Sequence, residues 1–407
     1  MSLHIHQNTA VRKADIANKC KTVAEAIEKH EDALLETLTR CESHETAKDE
    51  IWRTLDCLRN ISKEIDSLSY GHVDLMCTFF PINLPLYSLA IFAIVPGFMA
   101  EKVLIRPPVL TRDLLRELCL LLSLKELLPH IKFVDMERHV FNEAFISAAD
   151  VVLFTGRYQN AKEVHWMTSN ALFVYNGAGV NPVIVTENAD PALAAHKTIE
   201  MRLFNSGQDC AGSDIIFVHE KIADTFTKRL LSGLRQVKVG EYSDSEVRVG
   251  RIIKADQLRE VQKFFDANAA SIVYGGQIDM QTGIVRPTLI KVDIRDTPLF
   301  SVTEFFSPVF YVIVYHTDED LDRYFSTEGY RDHAMYVSLF GKTPYISRLV
   351  NSVVLQDKIV NDVERGYLPY GGYGPKANYV SYRDKHYARP ILISAEIADY
   401  LRECAAK

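Results

Sequence analysis

Cys210 lies in the run Phe204-Asn205-Ser206-Gly207-Gln208-Asp209-Cys210-Ala211, a loop of small and polar residues. Sulfur on such a loop can attack a carbonyl carbon once it is a thiolate, which requires its pKa to fall from the ordinary value of roughly 8.5. Gly207, three residues earlier, leaves room for backbone N–H groups to come close. Taken alone a cysteine of this kind reads more readily as inert packing, so the rest of the chain must decide.

The elements that would carry this loop are legible in outline. Residues 22–66 repeat apolar side chains every three to four positions (Val23, Ile27, Leu34, Leu38, then Ile51, Leu55, Leu58), which predicts packing helices. A run of 26 uncharged residues, 75–100, has membrane-spanning length, but Pro81, Pro85, Pro96 and Asn83 break it, and a buried strand, a turn and a buried helix are expected instead. Short strands are predicted over 102–107 and 149–156, with a helix over 114–128 between them. A second α/β unit follows: a strand near 183–185, a helix over Pro191–Leu203 leading into the Cys210 loop, a strand at 215–218, a helix over 221–237, and strands at 283–290 and 309–314. Strands alternating with helices mean a parallel sheet, hence an α/β fold.

Composition narrows the partners. The chain has 407 residues, net charge −7 and seven cysteines without a pairing pattern, which predicts a large core, a reducing compartment and cytoplasmic location. Acidic and basic residues are interspersed, so neither nucleic acid nor a membrane is an expected partner. His4, His6 and the other histidines lack ligand spacing, and no metal is predicted.

Several ordered motifs resemble the aldehyde dehydrogenase superfamily. Pro81-Ile82-Asn83-Leu84-Pro85 is similar to its Pro-Trp-Asn-Phe-Pro, Val103 to Pro107 to its strand ending in Lys-Pro, and Phe154-Thr155-Gly156 to its Phe-Thr-Gly. Asn205 to Cys210 matches Asn-x-Gly-Gln-x-Cys, Glu304 to Val309 matches Glu-x-Phe-Gly-Pro-Val, and Pro369-Tyr370-Gly371-Gly372 stands for Pro-Phe-Gly-Gly. The resemblance implies a Rossmann-like dinucleotide-binding domain over 1–176, a catalytic α/β domain over 177–375, and a segment 376–407 returning to the dinucleotide and oligomerisation region. The N-terminal region is shorter than usual for the family, and the expected assembly is a homodimer.

The resemblance also implies roles. Cys210 would be the nucleophile and Asn83, with the N–H of Cys210, an oxyanion donor. Ile82, Arg106, Pro107, Gly156, Arg157, Glu304 and Phe306 would bind NADP or NAD, Glu304 at the nicotinamide ribose. Arg106 and Val109 stand where the family has a lysine and often a glutamate, which favours NADP slightly.

Asn176, 34 residues before Cys210, takes the place of the glutamate that activates water in hydrolytic members. An amide cannot act as that base. The chain therefore resembles acylating members, which exchange the acyl group of a thioester with a thiol, coenzyme A or an acyl carrier protein, and act on an aldehyde or acyl thioester. Two alternatives stay open: hydrolytic oxidation with Asp209 or Glu187 as base, and a non-catalytic nucleotide-binding relative.

Overall fold

The computed structural model describes residues 4–6, 8–168, 170–297 and 304–406. Three helices open the chain: α1 (Thr9–Lys29), α2 (Glu31–Leu38) and α3 (His44–Arg59). Ser43 caps α3 by accepting from the Thr46 N–H at 3.1 Å, and Ala47, Ile51, Thr54, Leu55 and Leu58 form its buried stripe. The spacing read as packing helices is thus realised.

The first sheet uses β1 (His4–Ile5), β2 (Gly71–Phe79), β3 (Ala100–Arg106), β4 (Ile131–Phe133), β5 (Val151–Thr155) and β6 (Leu172–Asn176). The second uses β7 (Val183–Val185), β8 (Ile216–His219), β9 (Ile272–Tyr274), β10 (Thr288–Asp293), β11 (Val309–Tyr315), β12 (Tyr336–Phe340) and β13 (Val353–Gln356). The chain then returns to the first sheet as β14 (Asn378–Tyr382) and β15 (Lys385–Tyr387). The order is β15-β14-β6-β5-β2-β3-β4, with β1 paired to β2, and β13-β12-β7-β8-β11-β10-β9. From β6 to β4 all neighbours are parallel, whereas β14 runs antiparallel to β6, Asn378 opposite Asn176.

The uncharged run becomes β2, a turn at 80–84, then a short helix α4 (Pro85–Leu89) continuing to Gly97 before β3. Among the described residues no helix is long and apolar enough to cross a membrane. Helices α5 (Pro191–Leu203) and α6 (Glu220–Leu234) cover the second sheet, and α7 (Ile393–Ala405) packs on the first. Two predicted elements differ. The helix expected over 114–128 breaks at Ser123, whose φ is +48°, into Arg112–Leu121 and Leu124–Leu127. The strand expected over 283–290 is interrupted at Pro287, which has no N–H for a ladder; Ile284–Val285 pairs with Ile278–Asp279 in a separate hairpin.

In the first sheet the strand order reverses beside β2: β3 and β4 lie on one side, β5 and β6 on the other. Loops leaving β2 and β5 therefore diverge at their carboxyl ends, which opens a crevice there. Loops entering β8 and β11 of the second sheet face the same crevice.

Candidate active site

The crevice is a cavity of about 230 Å³. From the first sheet it is lined by Phe80 to Leu84 after β2, Thr155 to Arg157 after β5, and Asn176 to Ala178 after β6. From the second unit come Asp209 and Cys210, Lys254 and Gln257, Glu304 and Phe306, and the stretch Glu364 to Tyr370. Of the sequence-predicted residues, Ile82, Asn83, Gly156, Arg157, Asn176, Cys210, Glu304 and Phe306 thus meet around one space. Arg106 ends β3 and Pro107 follows it; neither lines the cavity.

The nucleophile loop is held from beneath. Asn205, Ser206 and Gly207 have φ of 47°, 56° and 78°, a left-handed run that folds the chain sharply after α5. A Cβ on Gly207 would stand 2.5 Å from the Ser307 carbonyl, so only glycine fits against the 304–308 loop. Arg202, fully buried on α5, donates to the carbonyls of Gly207 and Ser213, each at 2.8 Å, and pairs with Asp214 at 3.2 Å. Asn181 donates to the Cys210 carbonyl at 2.7 Å, tying the loop to the entry of β7.

Cys210 Sγ lies 3.0 Å from the Tyr370 hydroxyl and 3.6 Å from Asp209 Oδ1. Burial, then the negative charges of Asp209, Glu304 and Glu364, push its pKa well up; a hydrogen bond from Tyr370 pulls the other way. Tyr370 is thus the hydroxyl placed to donate to the sulfur as it ionises. Burial first, then Asp214, pushes Glu304 up to about 8, and its Oε1 is buried without a hydrogen-bond partner. Asn176 Oδ1 is likewise buried and unpartnered at the end of β6. Among the described residues neither acceptor has a partner, and both side chains belong to the cavity lining.

Lys254 and Arg157 bring positive charge to the same wall; burial, then the Arg157 charge, lowers the Lys254 pKa. The Lys254 ammonium stands 5.7 Å from the centre of the Phe306 ring. Lys254, Gln257, Glu64 and Glu364 were missed in the sequence, since none belongs to a motif. Glu364 is half-buried, and Arg53 of α3 donates to it while also pairing with Asp49. Glu187, offered as a substitute base, pairs instead with Lys221 at the exposed surface and does not line the cavity. His4 and His72, cross-strand partners on β1 and β2, gather with Glu101 so that three ligand atoms lie within 4.8 Å, a cluster invisible to spacing along the chain. It sits at the opposite end of β2 from the cavity.

Residues 6–338 match the model of the aldehyde dehydrogenase family. The chain is 28% identical over 233 residues to aldehyde dehydrogenase family 3 comG of Dictyostelium discoideum, covering 55% of this chain and 48% of that one. It thus spans about half the length of the curated relatives it matches. Among solved structures, glyceraldehyde-3-phosphate dehydrogenase from Methanocaldococcus jannaschii complexed with NADP superposes with a TM-score of 0.80 at 19% identity, covering 96% of this chain and 90% of that one. 1-Pyrroline-5-carboxylate dehydrogenase from Thermus with bound NAD gives 0.78 at 14% identity, covering 95% and 80%. By sequence and by architecture, this chain belongs to the aldehyde dehydrogenase family.

Proposed function

We propose that the protein is an NAD(P)-dependent oxidoreductase that interconverts an aldehyde and an acyl thioester through an acyl group carried on Cys210. The observation that carries this reading is the meeting of Cys210 with Asn83, Asn176 and Glu304 around one cavity. Sulfur attacks the aldehyde carbon, the thiol proton passing to Asp209 Oδ1, its nearest carboxylate oxygen. The amide of Asn83 and the N–H of Cys210 donate to the oxyanion so formed. A bound nicotinamide supplies a hydride acceptor, or a donor in reverse. Glu304, with a free buried oxygen, fits its ribose hydroxyls, and Gly156, Arg157 and Lys254 fit its phosphates, Gly156 through an open backbone at φ +144°. NADP is favoured slightly over NAD because Arg106, at the end of β3, can clamp a 2′-phosphate and Val109 brings no carboxylate to repel one.

Hydride loss leaves a thioester on Cys210. Asn176, an amide without basicity, stands in the cavity where a water-activating base is needed, so a thiol such as coenzyme A or an acyl carrier protein takes the acyl group. A second reading has one support: Asp209 and Glu364 are carboxylates close enough to raise the Cys210 pKa, and either could draw a proton from water to give a carboxylic acid.

Pure protein given an aldehyde and NADP or NAD, with and without coenzyme A, separates these readings. Thiol-dependent turnover, with a persistent mass increase on Cys210 when thiol is withheld, supports acyl transfer. Steady acid formation without thiol supports the second reading. In Asn176→Glu protein, acid formation without thiol should rise by roughly a hundredfold, within the range general-base catalysis supplies.

A further inference from the structure

Glu64 is the one cavity-lining carboxyl that neither the chemistry above nor any ion pair uses. It is 4% exposed and lies between α3 and the short helix Ile65–Leu68, against the start of α7. Its Oε2 accepts from the Ser394 hydroxyl at 2.5 Å, while Oε1 is buried without a partner. Burial pushes this carboxyl up to about 7, and the Ser394 hydrogen bond draws it down. Its neighbours Cys20 and Cys57 are buried thiols whose own pKa values its charge raises, and among the described residues no cation pairs with it. Two other carboxyls of the site region have a cation: Glu364 is paired with Arg53 and Asp214 with Arg202.

Glu64 and the reacting sulfur share one cavity, much of whose lining is apolar. Ile91, Phe92, Val95, Leu368, Ile391 and Ile393 line it, and the charges acting most on Cys210 are Asp209, Glu304 and Glu364 rather than Glu64. A buried carboxyl with a free oxygen is costly unless something fills it. A neutral hydrogen-bond donor would be served as well by glutamine, at less cost.

Resting on the proposed reaction, we infer that the substrate is an aldehyde or acyl group with a straight apolar chain ending in a cationic amine, which Glu64 and Ser394 receive while Cys210 attacks the other end. The amine N–H donates to Glu64 Oε1, and the carboxyl becomes an anion paired with it. Apolar side chains fix the length between the two ends.

Binding is measured with Cys210→Ala protein, so that turnover does not enter, using straight-chain aldehydes of increasing length that end in methyl, hydroxyl or dimethylammonium. The tertiary amine keeps the probe from closing on its own aldehyde. At one chain length the dimethylammonium aldehyde should bind at least about tenfold tighter than both others, as a charge-assisted hydrogen bond allows. In the double variant carrying Glu64→Gln that preference should vanish while the methyl-ended aldehyde binds as before. Equal binding of the three end groups at every length, or a preference that survives Glu64→Gln, overturns the inference. The end-group comparison needs no change at residue 64, so it decides even where that variant does not fold. Turnover of methyl-ended aldehydes by the unaltered protein tests the reaction separately: that reaction fails if no aldehyde is oxidised, whatever the end groups bind.

Discussion

Tyr370 is the one group that eases ionisation of Cys210 against burial and three carboxyls. Replacing it with phenylalanine removes a hydroxyl 3.0 Å from the sulfur and leaves the thiolate without its donor. The Cys210 pKa then rises further, so the rate at neutral pH should fall and the limb of the pH–rate profile that reports thiolate formation should move to higher pH; an unmoved limb would count against the contact. Asn83→Ala should lower kcat on the order of a hundredfold with little change in nucleotide binding, because an oxyanion donor acts in the transition state. Cys210, Asn83, Asn176 and Glu304 were legible because their motifs are local in sequence. Glu64, Lys254 and Glu364 were not: a carboxyl or ammonium on an unremarkable stretch gains meaning only from the cavity it enters. Arg106 and Pro107 had motif support yet stand off the lining, since β3 lies on the far side of the point where strand order reverses.

At the scale of elements, α3 begins beside an unusual pair. Glu42 and Glu50 are both buried, and Glu50 accepts from the Tyr87 N–H at the start of α4 at 2.8 Å. Burial pushes Glu50 up to about 7 and raises Glu42 well above the usual carboxylate range, Glu50 adding to the latter. The folded chain therefore holds protons more tightly than the unfolded chain. That contribution to stability is complete below about pH 4.5 and is lost as pH rises through about 7. The difference for Glu50 alone amounts to roughly 3 kcal/mol. Thermal unfolding should show Glu50→Gln melting higher than the unaltered protein at pH 8 and close to it at pH 5; a constant difference across that range would refute the linkage. Arg202→Ala, which strands Asp214 and frees two loop carbonyls, should cost about 3–5 kcal/mol and most of the activity. Helix periodicity made α3 and α5 readable. The break at Ser123 was not, because a single left-handed residue leaves the apolar repeat on either side intact.

At the scale of the molecule, the two sheets present opposite ends to one another, the carboxyl ends of the first and the amino ends of the second, and the site exists only where they meet. Arg53 on α3 reaches Glu364 across that seam. Arg53→Met should leave the half-buried Glu364 without a cation and lower the unfolding midpoint in denaturant, by about 3–5 kcal/mol in stability. Alternation of strands and helices announced two α/β units, yet it could not announce that β14 would turn antiparallel onto β6, because pairing between residues two hundred positions apart leaves no local trace. That late return has a consequence for how the protein comes into being. Until residues 378–394 have been made, one edge of β6 has no strand beside it and Ser394 is not yet beside Glu64, so the catalytic chamber is completed only by this late return, and the folding intermediate before that moment presents a raw β-edge for chaperones to shield.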